Sequence, residues 1–181
     1  AGNCKPAVTA TGLIAVGRLR PQKNLPELIR AVAMAVRPLT LVGKGEQEAE
    51  LRALAQAVSA NVRFIAQIDN DALAALLRDH ARFILPSLHE GLPKVLIEAM
   101  ASGLVVIGSR IPGITDLIRD GDTGYLIDGF DAAAIAAAIS RADAADAGMG
   151  GRARAVIEER FGLRRYARAE AALYAEVVQN G

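Results

Sequence analysis

The chain has 181 residues, 52% of them hydrophobic, and 21 Lys and Arg stand against 20 Asp and Glu for a net charge of +1. That length and apolar content suit one domain with a sizeable core and exclude a disordered chain. The even charge balance and an aromatic content of 4% exclude nucleic acid as a partner, which calls for a basic excess or stacking rings. Residues 1–11 read as a tail or linker stub with no signal-peptide pattern, and no stretch has the length of a transmembrane helix. Cys4 is the single cysteine, and His80 and His89 are the only histidines. No internal disulfide is therefore possible, no zinc site is expected, and a reducing, cytosolic setting is the simplest reading.

Short apolar runs then alternate with helix-length segments. Strands are predicted at Leu13-Ile14-Ala15-Val16, Leu39-Thr40-Leu41-Val42, Val62-Arg63-Phe64-Ile65, Arg82-Phe83-Ile84-Leu85, Leu104-Val105-Val106-Ile107 and Tyr125-Leu126-Ile127. Continuous rather than alternating apolar runs predict strands buried on both faces. Between them, Leu28, Ile29, Val32 and Val36 mark one helix, and Leu51, Leu54 and Val58 another. Leu73, Leu76 and Leu77 mark a third, capped by Asn70 or Asp71. The alternation predicts an α/β fold, with a Rossmann-like parallel sheet of about six strands and helices on both faces. Residues 131–181 read as C-terminal helices, broken near Gly148 to Gly151 and at Phe161-Gly162, with an apolar face recurring from Leu163 to Val177. The whole chain, 1–181, reads as one domain.

Ligands of open parallel sheets bind beyond the carboxyl ends of the strands, so the loops there carry the candidate site. After the first strand come Gly17, Arg18 and Lys23. Glycine admits close backbone approach, arginine forks onto phosphate and lysine adds a mobile charge; a solvated surface loop is the competing reading. Gly43-Lys44-Gly45 precedes a helix near Glu46. It reads as a tight turn or as a phosphate contact at a helix start, and it is not a P-loop.

The loop after the fourth strand is the most informative. It runs Pro86-Ser87-Leu88-His89-Glu90-Gly91-Leu92-Pro93-Lys94-Val95-Leu96-Ile97-Glu98-Ala99-Met100-Ala101. Pro93 suits a first helical position, which leaves the amides near Gly91 and Leu92 at a helix N-terminus, where a diphosphate can dock. Glu98 has apolar neighbours on nearly every face, which predicts a buried carboxylate in need of strong donors. Ribose hydroxyls are one source of those donors, and an internal arginine or backbone group is the other. Ser87 lies in no G-x-S-x-G elbow, so hydrolase chemistry is set aside.

At this segment the chain resembles the retaining glycosyltransferase family 4 of the GT-B fold. The carriers are Gly17-Arg18-Leu19 with Lys23-Asn24, Pro86-Ser87, and Glu90-Gly91-Leu92-Pro93 through Glu98-Ala99-Met100-Ala101. Pro112-Gly113-Ile114, Asp120-Gly121 and Gly124-Tyr125-Leu126 complete the set, which spans roughly Leu13 to Ile127. Glu90 and Glu98 form the family's E-x7-E pair. The resemblance implies that Arg18 and Lys23 clamp the diphosphate of a nucleotide-sugar donor. Glu90 would face the sugar beside the Gly91 and Leu92 amides, Glu98 would hold the ribose, and the loop at Gln67-Ile68 would border the base. It implies no metal and no cofactor, the nucleoside-diphosphate sugar being a substrate.

Lys44 and Gln67 depart from what is common in such relatives. The resemblance also implies a missing N-terminal acceptor-binding domain, so the isolated chain is expected to be inactive in transfer. Any peripheral contact with the cytosolic face of a membrane would belong to that missing half. A non-catalytic nucleotide-binding module with the same fold is the alternative.

Overall fold

The computed structural model describes residues 12–66 and 68–161. The predicted strands form as β1 (Leu13–Val16), β2 (Leu39–Val42), β3 (Val62–Ile65), β4 (Arg82–Leu85), β5 (Val105–Ser109) and β6 (Tyr125–Ile127). The helices are α1 (Leu25–Met34), α2 (Glu48–Ala57), α3 (Asn70–Arg78), α4 (Lys94–Ala101), α5 (Ala132–Asp143) and α6 (Met149–Phe161). All strand pairs are parallel, in the order β3-β2-β1-β4-β5-β6. The chain builds outward from β1 to β3, returns to the middle, and builds the other way from β4 to β6. This is the Rossmann-like α/β sheet expected from the sequence, and it puts a topological switch point between β1 and β4.

Each central strand feeds two cores, because successive side chains leave opposite faces. Leu13, Ala15, Leu39, Leu41, Ile84, Ile107 and Ile127 meet α1, α2 and α5 on one side. Ile14, Val42, Phe83, Leu85, Val106 and Leu126 meet α3, α4 and α6 on the other. Leu25, Leu28, Ile29 and Val32 form the buried stripe of α1 at helical spacing.

Several expectations need correction. β3 is only half-buried, because it is an edge strand; the Arg52 guanidinium, 4.4 Å above the Phe64 ring, covers part of it. The cap of α3 is Asp69, one residue before the expected pair: its Oδ1 accepts from the Ala72 amide at 2.8 Å, while Asn70 is already helical. α6 starts at Met149, so Gly150 and Gly151 lie in its first turn rather than in a break.

The largest correction concerns α4. It is not buried all round: Leu96, Ala99 and Met100 face the core, while Lys94, Glu98 and Ala101 are exposed. Spacings of four and three make those three residues an open stripe. The tail at 1–11 with Cys4, Gln67, and the apolar pattern from Leu163 to Val177 lie outside the described residues. Among the described residues, no helix is long and apolar enough to cross a membrane.

Candidate functional site

The loops that follow β1, β2 and β4 converge at the switch point. The β1 loop lies directly on the β2 loop. The Gly17 amide donates to the Val42 carbonyl at 3.0 Å, Leu19 donates to Lys44 at 3.0 Å, and Gln47 donates back to Leu19 at 3.2 Å. Gly43 permits this approach: it has φ +145°, and a Cβ there would sit 1.9 Å from the Gly17 carbonyl oxygen. Leu19 is buried, with only 1% of its surface exposed, between two exposed arginines. It anchors the loop, and Arg18 and Arg20 both reach the cleft.

A 3-10 turn at Pro21–Lys23 then ties the β1 loop to the β4–α4 loop at three points. The Gln22 carbonyl accepts from the Leu88 amide at 2.9 Å. The Gln22 side-chain amide donates to the His89 carbonyl at 2.9 Å. Lys23 Nζ donates to Glu90 Oε1 at 2.5 Å. The same Oε1 accepts from Ser87 Oγ at 2.6 Å. Ser87 is fully buried, and the Lys23 and Glu90 side chains are 19% and 10% exposed. The loop that follows β5 supports this arrangement: Gly113, with φ +81°, packs so close to the Gly91 carbonyl oxygen that a Cβ would come within 2.0 Å.

Two cavities share Gly17 and Arg18. The first, about 440 Å³, is lined by Arg18, Arg20, Lys23, Lys94 and Glu98 among others. The second, about 290 Å³, adds Gly43, Lys44, Ile68 and Asn70 and shares Val16 and Leu73 with the first as well. The structure therefore brings Gly17, Arg18, Lys23 and Glu98 to one cleft, with Ile68 in its adjoining arm. Glu90 is paired with Lys23 and does not line either cavity. Gly91 and Leu92 are exposed and line neither cavity. The first turn of α4, whose start has no side-chain cap, lines the cleft through Lys94 and Val95. Gln67 is outside the described residues.

Glu98 is exposed and, among the described residues, its carboxylate has no hydrogen bond or ion pair. The internal arginine partner that the sequence left open is absent among these residues. Lys94 and Arg20 were not singled out from sequence, and Asn70 was read only as a helix cap. Lys94 is one turn before Glu98 on the open stripe of α4, a spacing that was readable once the buried face was known. Arg20 is two residues from Arg18 across a buried leucine, in a tight turn closed by the Arg20 amide donating to the Arg18 carbonyl at 2.9 Å.

A family model described as glycosyl transferases group 1 matches residues 10–143. The D-inositol 3-phosphate glycosyltransferase of Acidothermus cellulolyticus is 36% identical over 142 residues, covering 70% of this chain and 32% of its own length. Among solved structures, the C-terminal domain of a glycosyl transferase group 1 family protein from Francisella tularensis superposes with a TM-score of 0.74 at 20% identity, covering 85% of this chain and 88% of that one. The Anabaena protein HepE, solved with UDP and glucose, superposes with a TM-score of 0.76 at 20% identity, covering 92% of this chain and 48% of that one. These two likenesses bear on the fold. The chain spans about a third of the length of the curated relatives it matches.

Proposed function

The chain belongs to the glycosyl transferases group 1 family, and from that premise we propose that it is the donor-binding half of a retaining glycosyltransferase. Its donor is a nucleoside-diphosphate sugar, and it works in the cytoplasm with an N-terminal acceptor-binding half. The observation that carries this is the single cleft in which Arg18 and Lys23 from the β1 loop meet Glu98 from α4, beyond the carboxyl ends of the strands. Arg18 and Lys23 hold the diphosphate, joined by the open amides of α4. As the bond from the sugar to the diphosphate breaks, negative charge grows on the leaving phosphate, and prearranged cations and amides stabilise it. Glu98 accepts from the ribose hydroxyls. The base lies in the arm bordered by Lys44, Ile68 and Asn70. Glu90 positions the sugar once phosphate has taken its place on Lys23. The donor is a substrate, and the reading calls for no cofactor. The relative named D-inositol 3-phosphate glycosyltransferase supports glycosyl transfer, and UDP and glucose, the ligands of the Anabaena neighbour, are the parts of such a donor.

The test is calorimetric titration with UDP, GDP and ADP and with the matching nucleosides. At least one nucleoside diphosphate is expected to bind. Lys23→Ala is expected to weaken it roughly tenfold, the value of a charged hydrogen bond of about 1.5 kcal/mol, and to leave nucleoside binding unchanged. Equal losses for both ligands would remove Lys23 from the phosphate. Transfer is expected only when an acceptor-binding half is supplied, because positioning the acceptor contributes up to roughly 7–11 kcal/mol. Sugar transfer to an acceptor by the chain alone would overturn that division of labour.

A further inference from the structure

We propose that Ser87 is a positioning residue for the phosphate-binding lysine, acting through Glu90; this rests on the donor-site reading of Lys23. Ser87 has none of its surface exposed. Most buried hydroxyls find a partner, and the partner of Ser87 Oγ is Glu90 Oε1, at 2.6 Å. That oxygen also accepts from Lys23 Nζ, at 2.5 Å. Two donors from opposite sides of the switch point thus share one carboxylate oxygen. Both bonds converge on one oxygen, so the two donors together fix where the carboxylate stands. Glu90 Oε2 has no partner among the described residues. The backbone beneath is held as well, by the Gln22 bonds to Leu88 and His89 and by the close packing of Gly113 on Gly91.

The relay runs from a core hydroxyl to a carboxylate to an ammonium at the cleft wall. Its effect on binding follows from competition. Lys23 must share its charge between Glu90 and an incoming phosphate. The Ser87 hydroxyl satisfies part of Glu90's demand for donors, which leaves more of the Lys23 charge for the ligand. Without it, a poorly hydrated carboxylate has Lys23 as its only donor and draws it away from the cleft.

A double-mutant cycle tests this on the chain as it stands, with UDP, GDP and ADP as probes and uridine, guanosine and adenosine as controls. Ser87→Ala is expected to weaken nucleoside diphosphate binding roughly two- to tenfold, the range of one hydrogen bond. It is expected to leave nucleoside binding as it was and to have no further effect in a Lys23→Ala background. Thermal unfolding of each variant confirms that the folded protein is being titrated. Equal losses in both backgrounds, or a loss shared by the nucleosides, would make Ser87 a packing residue and overturn the proposal. If Lys23→Ala weakens binding and Ser87→Ala does not, the relay fails while the donor-site reading stands. If the wild-type chain binds none of the three diphosphates, both fail.

Discussion

Glu98→Gln separates a ligand carboxylate from a structural one, because the structure makes the two effects unequal. The side chain is exposed on α4 and has no partner among the described residues. Its amide replacement keeps the shape and leaves no buried group unsatisfied, so stability is expected to change by less than about 0.5 kcal/mol. Lys94 stands four residues earlier, in the weaker order for a helical ion pair, so little is lost there either. Affinity is another matter. A charged acceptor contributes about 1.5–3 kcal/mol to a hydrogen bond. Water competes for Glu98 in the open cleft, which argues for the low end, about 1.5 kcal/mol or roughly tenfold in Kd. Ribose is common to nucleoside and nucleoside diphosphate, so both are expected to weaken by the same factor. Calorimetric titration gives the affinities, and urea unfolding gives the stability. Unchanged affinity for both ligands, or a loss confined to the diphosphate, would refute the assignment of Glu98 to the ribose.

Gly43→Ala is expected to destabilise the fold by roughly 1–3 kcal/mol and to weaken nucleotide binding, because its Cβ would press on the Gly17 carbonyl and lift the β1 loop; urea unfolding and titration with nucleoside diphosphates check both. Val36 is 81% exposed with φ +50°, at the end of α1 where the Arg37 amide returns to the Val32 carbonyl. The left-handed conformation costs a side-chain-bearing residue about 1–2 kcal/mol, and glycine gives back about 0.5–1 through the unfolded chain. Val36→Gly is therefore expected to stabilise by about 0.5–1 kcal/mol in urea unfolding, and a destabilised variant would contradict the strain. Hydrogen bonds from Arg152 and from the Gly148 amide lower the Asp146 carboxyl from 3.8 to about 2. A lowered carboxylate pKa stabilises the fold above pH 3.8 and loses that contribution as pH falls through about 2. Carboxyl NMR titration is expected to place Asp146 well below the ordinary aspartate value, and Arg152→Ala to bring it back toward that value.

The strands were legible because burial on both faces leaves nothing polar in the run, as in Phe83-Ile84-Leu85. β3 was legible as a strand but not as an edge, since strand order is a property of the whole sheet. The loop residues Gly17, Arg18 and Lys23 were findable by their place after a strand, and Glu98 by its place in the helix that follows the β4 loop. The burial of Glu98 was misread because Val95, Leu96, Ile97 and Met100 surround it in sequence, while the helix turns it away from the core. The bond of Lys23 to Glu90 joins residues far apart in the chain, and no local pattern carries it. Val36 at a left-handed helix end went unseen because glycine, which normally marks that place, is missing; Gly103 supplies it at the end of α4.

The pairing of Lys23 with Glu90 changes what the charge of the cleft means for an incoming anion. Arg18, Arg20, Lys23 and Lys94 line it, but among the described residues Lys23 alone of these four already has its counter-ion built into the protein. Binding at Lys23 is then an exchange, carboxylate for phosphate, with little dissolved anion set free. The ionic-strength dependence of nucleotide binding is left to the three cations that meet bulk salt in the empty state. Neutralising Arg18 would flatten that dependence, whereas removing Lys23 would lower affinity and leave the slope nearly as it was.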